Sequence, residues 1–182
     1  MSLKTVVIGA LGLGIIITAL AVALSFFVGN QADVPTLLLN TIDLKQKLDD
    51  PVVRAKAVTN IDDAVRSLRN DAISESWQTV LSCLQQGCVP DDYFNFIAVV
   101  VQEKKEEVLS SDLIFNMLVV QRYWGGENIV EFSKALAASN DAIEQLGSKT
   151  ASDKWAEIIA CNGACPEKDN LFFDMIKIVL QT

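Results

Sequence analysis

All four cysteines of the 182-residue chain fall in two close pairs: Cys83/Cys88 in WQTVLSCLQQGC and Cys161/Cys165 in WAEIIACNGAC. Facing an oxidising compartment, an even number of paired cysteines reads as disulfides. The short spacings suit that chemistry. Two positions flanking a helix-ending turn can bring their α-carbons within the roughly 4.4–6.8 Å that a bridge needs. Gly87 and Gly163 provide the backbone freedom for such turns. Each bridge would close a short loop and contribute about 2 kcal/mol, fixing the crossing of two helices rather than rescuing the fold. Four thiolates in a cytosolic domain could instead hold zinc, although the spacings are looser than a zinc ribbon's. Neither pair is C-x-x-C, which argues against a thioredoxin-like dithiol. Free buried thiols and pairing between the two segments stay open at this level.

Other chemistry is sparsely equipped. The chain has no histidine, which removes the commonest general base, the Ser-His triad and most catalytic zinc sites. There is no P-loop and no G-x-G-x-x-G. Carboxylates occur as the adjacent pairs Asp62-Asp63, Asp91-Asp92 and Glu106-Glu107. Neighbours on a helix point in different directions, so such pairs are not acid/base couples by themselves. Asp91 and Asp92 follow Pro90 and fit the first turn of a helix, where negative charge favours the dipole. A lysozyme-like setting of Glu, Asp and Thr is not recognisable. No catalytic residue, resident metal or cofactor is therefore expected.

Aromatic residues offer binding rather than catalysis. Trp77 and Trp155 sit on apolar faces and read as core. Arg122, Tyr123 and Trp124 adjoin a double-glycine turn in QRYWGGEN. These residue types are enriched in binding hot spots, so the three are the candidate partner-binding residues.

The elements that carry these groups come in two sets. Trp155 follows Trp77 by 78 residues, as Cys161 follows Cys83. At the same offset Lys56-Ala57 meets Lys134-Ala135, and Asp63-Ala64 meets Asp141-Ala142. Further upstream the offset becomes 76, where LLLN at Leu37–Asn40 faces LIFN at Leu113–Asn116. After the cysteines, FNFIAVVVQ at Phe94–Gln102 faces FDMIKIVLQ at Phe173–Gln181. Apolar spacing kept between gaps at loops is the mark of a duplicated unit. Each unit reads as four helices. The first covers about Thr36–Leu48 and Asp112–Trp124, stopped in the second copy by Gly125-Gly126. The second covers about Asp50–Arg69 and Glu127–Leu146; Asp50 and Pro51 make a helix start, and Gly147 follows the second copy. The third covers about Ser74–Gln86 and Ala151–Asn162. The fourth begins after Pro90 or Pro166. The stretch Ile97–Val101 could also form a strand, but it lies among helical patterns. QEKKEEVLSSD at Gln102–Asp112 reads as a solvated helix end and linker, with Ser110 or Ser111 capping the next helix. The fold class expected is all-α: an N-terminal transmembrane helix (1–30), then an eight-helix domain of two tandem four-helix repeats, 31–108 and 109–182. The halves would pack about a pseudo-twofold axis or stack as a short solenoid. The period exceeds that of tetratricopeptide or ankyrin units.

The transmembrane expectation rests on Thr5–Val28, which holds no charge and is long enough to cross a hydrocarbon core. It is too long for a signal-peptide core and lacks a good cleavage site, which favours a retained anchor. Gly9, Gly12 and Gly14 within it would allow close helix packing. Lys4 precedes the span, whereas Asp33 and Asp43 follow it before the first basic residue, Lys45. That asymmetry orients the N-terminus to the cytoplasm and the domain to the periplasm or another exoplasmic space. With 15 basic and 23 acidic residues the net charge is −8. All basic residues except Lys4 lie beyond the span. Such an acidic domain repels phosphate backbones, so no nucleic-acid partner is expected.

The expected function is that of a membrane-anchored adaptor or scaffold subunit of an envelope complex, acting by protein–protein binding. Its partners would be membrane lipid, through the first helix, and other envelope proteins; a homo-oligomer is compatible. The main alternative is a sensor or chaperone domain binding a small molecule or peptide. A cell-wall hydrolase is the third class.

Overall fold

A computed structural model describes residues 33–47, 50–126, 128–161 and 166–182. The eight α-helices among them follow from capping residues and apolar spacing. They are α1 (Val34–Gln46), α2 (Pro51–Leu68), α3 (Asp71–Cys83), α4 (Pro90–Glu103), α5 (Ser111–Tyr123), α6 (Ile129–Leu146), α7 (Lys149–Ala160) and α8 (Lys168–Leu180). A 3-10 turn, Lys105–Glu107, bridges α4 and α5. There is no strand among the described residues, and Ile97–Val101 is helical. Helix lengths run 13, 18, 13 and 14 residues and then 13, 18, 12 and 13.

Capping explains most of the boundaries. Asp50 Oδ1 accepts from the N–H groups of Val52 and Val53 at 2.9 and 3.1 Å, with Pro51 opening α2. Asn70 accepts from Ile73 N–H at 3.0 Å, and Asn128 from Glu131 N–H at 3.2 Å. Ser148 caps α7 through Ala151 N–H. Asp92 accepts from Val89 N–H at 2.9 Å, which places both Asp91 and Asp92 in the first turn of α4, as expected. Gly147 closes α6 with a φ of 63°. Some bounds differ from expectation. α3 starts at Asp71 rather than Ser74, because Arg69 takes the left-handed φ of 49° and frees Asn70 to cap. Trp124 is not helical: its backbone is extended after the end of α5. Ser110 holds the cap position of α5 without a side-chain cap bond.

The helices pair as hairpins, α1 with α2, α3 with α4, α5 with α6 and α7 with α8. Four of them also touch in a closed cycle: α1 meets α4, α4 meets α5, α5 meets α8 and α8 meets α1. The core lies inside that ring, with Leu38, Ile42, Phe96, Ile97, Ile114, Met117, Phe173 and Ile176 all fully buried. Helix α4 has neighbours on several sides, and six of its residues are buried: Tyr93, Phe94, Phe96, Ile97, Val100 and Val101. The outer helices need only one stripe. In α2 it is Ala57, Ile61 and Val65; in α6 it is Ala135, Ser139 and Ile143. The described residues belong to one compact unit.

The expected anchor, 1–30, with Gly9, Gly12 and Gly14, lies outside the described residues. Among the described residues no helix is long and apolar enough to cross a membrane.

Candidate functional site

Cys83 is the last residue of α3, and Cys88 lies just before Pro90. The turn between them folds back tightly, with the N–H groups of Gln86 and Gly87 both donating to the Cys83 carbonyl at 2.9 and 2.7 Å. Gly87 has a φ of 100°, open to glycine and strained for other residues. The α-carbons of Cys83 and Cys88 come within 4.8 Å, and the two form a disulfide. Cys161 is also disulfide-bonded; Cys165 falls outside the described residues. Cys83, Cys88 and Asp92 place potential metal-ligand atoms within 4.8 Å of one another. The two sulfurs are bonded to each other, and Asp92 already caps α4. This cluster thus acts as a staple and a cap.

The three candidate partner-binding residues separate. Arg122 and Tyr123 line a groove of about 710 Å³ along the seam between α4 and α5. Trp124 turns away from solvent and packs its ring edge-on to Phe132 and Phe172, with centroids 5.4 and 6.2 Å apart. Trp77 and Trp155 are core residues, 0% and 5% exposed. Each indole N–H is satisfied: Trp77 donates to Asp62 at 3.3 Å and Trp155 to Asn140 at 2.7 Å.

The groove also holds groups that the sequence alone did not single out. Gln121, only 7% exposed, donates through Nε2 to Asp91 Oδ1 at 3.4 Å and to Asp169 Oδ1 at 3.2 Å. One amide thus ties the first turns of α4 and α8 to the end of α5. Ala98, Leu118 and Val119 contribute apolar surface, and Phe115 stands exposed at the rim. Lys168 is half-buried beside Asp169. Among the described residues, neither Arg122 nor Lys168 has a hydrogen-bond or ion-pair partner. The sequence signal that could have added Gln121 to Arg122 and Tyr123 is a polar residue directly after the apolar stretch MLVV.

The seam between α1 and α8 is bridged by side chains. Lys177 Nζ reaches Asp43 Oδ1 at 2.6 Å, and Gln46 Nε2 donates to Asp174 Oδ1 at 2.7 Å. Partial burial works to raise the Asp43 pKa, but the hydrogen bonds and charges of Lys177 and Lys47 outweigh it and hold the carboxyl below its ordinary value.

Comparison with known proteins found nothing similar: no family model matches the chain, and no curated protein or solved structure does.

Proposed function

We propose that this chain is a membrane-anchored binding module, an adaptor or scaffold subunit of an envelope complex that acts by protein–protein contact. The observation that carries the binding part is the α4–α5 groove, a seam of mixed lining in which Ala98, Leu118 and Val119 are apolar and two cations, Arg122 and Lys168, have no partner among the described residues. Groove-shaped surfaces with Arg and Tyr at hand suit partner recognition. The membrane part rests on the charge-free stretch Thr5–Val28 and on Lys4 before it. The Cys83–Cys88 disulfide supports an oxidising compartment for the domain.

The same reading takes the domain as a duplicated four-helix unit. Three observations support this. Both tryptophans donate to a side chain 15 residues upstream. Phe94 and Phe173, which face one another in the sequence match, stack together. Contacts of α4 with α5 and of α1 with α8 are mates under a pseudo-twofold relation, where a head-to-tail solenoid would give only one of them.

Labelling with a membrane-impermeant maleimide, after reduction, in sealed right-side-out vesicles tests the placement. Modification of Cys83 and Cys88 without opening the vesicles is the expected result. Modification only after opening would put the domain on the cytoplasmic side and overturn the anchored exoplasmic reading. The volume of the groove also suits a small molecule, which favours a ligand-binding sensor as the second reading. A melting shift with a compound library would select that reading.

A further inference from the structure

The open and bridged seams differ at four matched positions. In the register of the sequence match, Asp43 and Lys177 of the bridged seam correspond to Val119 and Ala98 of the open one. Gln46 and Asp174 correspond to Arg122 and Asn95. The ion pair and the amide–carboxylate bond that join α1 to α8 therefore have no counterpart at these positions between α4 and α5, where the polar ties lie at the two ends instead, Gln121 with Asp91 and Lys105 with Asp112. Along the middle of that seam lie the apolar Ala98, Leu118 and Val119, flanked by Asn95 and Arg122.

The open seam is elongated. Asp91 near the start of α4 meets Gln121 near the end of α5, and Lys105 after the end of α4 pairs with Asp112 at the start of α5, at 2.8 Å. The two helices thus run antiparallel along the whole groove. A second hollow of about 260 Å³, lined by Val101, Gln102 and Ser111, continues from the first, with Phe115 shared between them. Helix α4 has 14 residues, so the track is roughly 20 Å long at about 1.5 Å per residue. That length matches a helical segment of three to four turns and exceeds what a compact small molecule would need.

Charge sets the chemistry of the occupant. Asp91 and Asp169 are engaged by Gln121 and sit in the first turns of α4 and α8, where the helix dipoles favour them. Glu131, which also lines the groove, pairs with Lys134 at 3.5 Å, whereas Arg122 and Lys168 have no such partner among the described residues. A carboxylate is the missing complement, and Arg offers it a bidentate fork.

We propose that the α4–α5 seam docks an amphipathic helix of a partner protein. Its apolar stripe lies on Ala98, Leu118 and Val119 against Phe115, and a carboxylate at one end pairs with Arg122 and Lys168. This deepens the binding-module reading and rests on it. The arrangement is helix-in-groove recognition, with anchors at i, i+3 or i+4, and i+7.

The test has two arms on the full-length protein in membranes. In the first, a displayed library of 14-residue helical peptides is selected against it in nanodiscs. The expected winners carry an apolar stripe and a terminal Asp or Glu, and lose roughly tenfold or more in affinity for Arg122→Glu. Arg122 has no partner to lose among the described residues, so this variant should keep the wild-type melting temperature and helix content. Phe115→Ala, also at an exposed position, should weaken the same peptides. Winners without a carboxylate, winners indifferent to both variants, or no winners at all would overturn the proposal. In the second arm a photo-crosslinking residue replaces Phe115 or, on the exposed face of α2, Thr59. A crosslink from position 115 to an acidic amphipathic segment supports the proposal. A crosslink from position 59 alone leaves a binding module but removes this groove; crosslinks from neither position remove both. A product of two copies of this chain joined through position 115 makes the seam a homodimer contact and overturns the partner-helix assignment.

Discussion

The rings of Phe94 and Phe173 stack nearly parallel, with centroids 4.1 Å apart and planes 9° apart. They come from α4 and α8, diagonal members of the central ring, and are 4% and 0% exposed. Truncation at either position opens a cavity at the middle of the molecule. Phe94→Ala and Phe173→Ala should each destabilise the domain by about 3–5 kcal/mol. Phe115→Ala on α5, with its ring 41% exposed, should stay within about 0.5 kcal/mol of wild type. Urea unfolding followed by circular dichroism decides this. Similar losses at all three positions would mean that the stack is not a central contact.

The two indole hydrogen bonds should also be matched in energy. Removing the acceptor leaves a buried N–H unpaired, which costs about 1–3 kcal/mol. Asp62→Ala and Asn140→Ala are each expected to show that loss in urea titrations, with tryptophan fluorescence as the probe. Asp62 additionally pairs with Arg66 across one helical turn. That exposed pair adds little. A loss at only one site would weaken the case for equivalent halves.

Much of the helical order was legible because its signals are local. Asp50-Pro51 announces α2, and Gly147 announces the end of α6. The start of α3 was not, because the residue that breaks α2 is Arg69, and a left-handed arginine carries no sequence mark. Trp124 read as helical because nothing before Gly125 stops the pattern. Its ring reaches Phe132 and Phe172, contacts that form only when α5, α6 and α8 assemble. The groove was half visible. Arg122 and Tyr123 stood out by type, whereas the role of Gln121 depends on Asp91 and Asp169, 30 and 48 residues away.

The Cys83–Cys88 bridge closes a loop with a sequence separation of only 5. In the chain-entropy picture so short a loop contributes about 2 kcal/mol. The double variant Cys83→Ala/Cys88→Ala should therefore fold, with stability lowered by about that amount. Thiol titration of the native protein should find Cys83 and Cys88 unreactive until a reductant is added. Immediate reaction of either cysteine would remove both the bridge and its support for an oxidising compartment.

The seam between α1 and α8 should respond to acid. A carboxyl whose folded pKa lies below its unfolded value stabilises the fold above the unfolded pKa, and the contribution disappears as pH falls through the folded value. Asp43 is such a group, held below its ordinary 3.8 by Lys177 and Lys47 against the opposing effect of burial. Asp43→Asn should melt below wild type at pH 7. The gap should narrow as pH falls below about 4, once wild-type Asp43 takes up its own proton. Melting curves of both proteins from pH 7 to pH 3 measure it. A gap constant across that range would show that the carboxylate charge does not hold the seam.

Tyr93 should give the opposite dependence at the alkaline end. Its ring is fully buried in α4, and its hydroxyl has no hydrogen-bond partner among the described residues. Burial pushes the phenol up to about 12 from an ordinary 10.0, with Arg54 working against the rise. An acid whose folded pKa is raised stabilises the fold below its unfolded pKa, and that contribution is lost between the two values. Replacing the unpartnered hydroxyl should cost nothing at neutral pH, because no bond is lost and a buried polar group is removed. Phe172, the residue matched to Tyr93 in the sequence alignment of the halves, already lacks it and is equally buried. Tyr93→Phe is thus expected to be neutral or stabilising at pH 7, and more stable than wild type by about 1 kcal/mol further at pH 11. Urea midpoints at the two pH values provide the comparison. A destabilised variant at pH 7 would mean that the hydroxyl does have a partner.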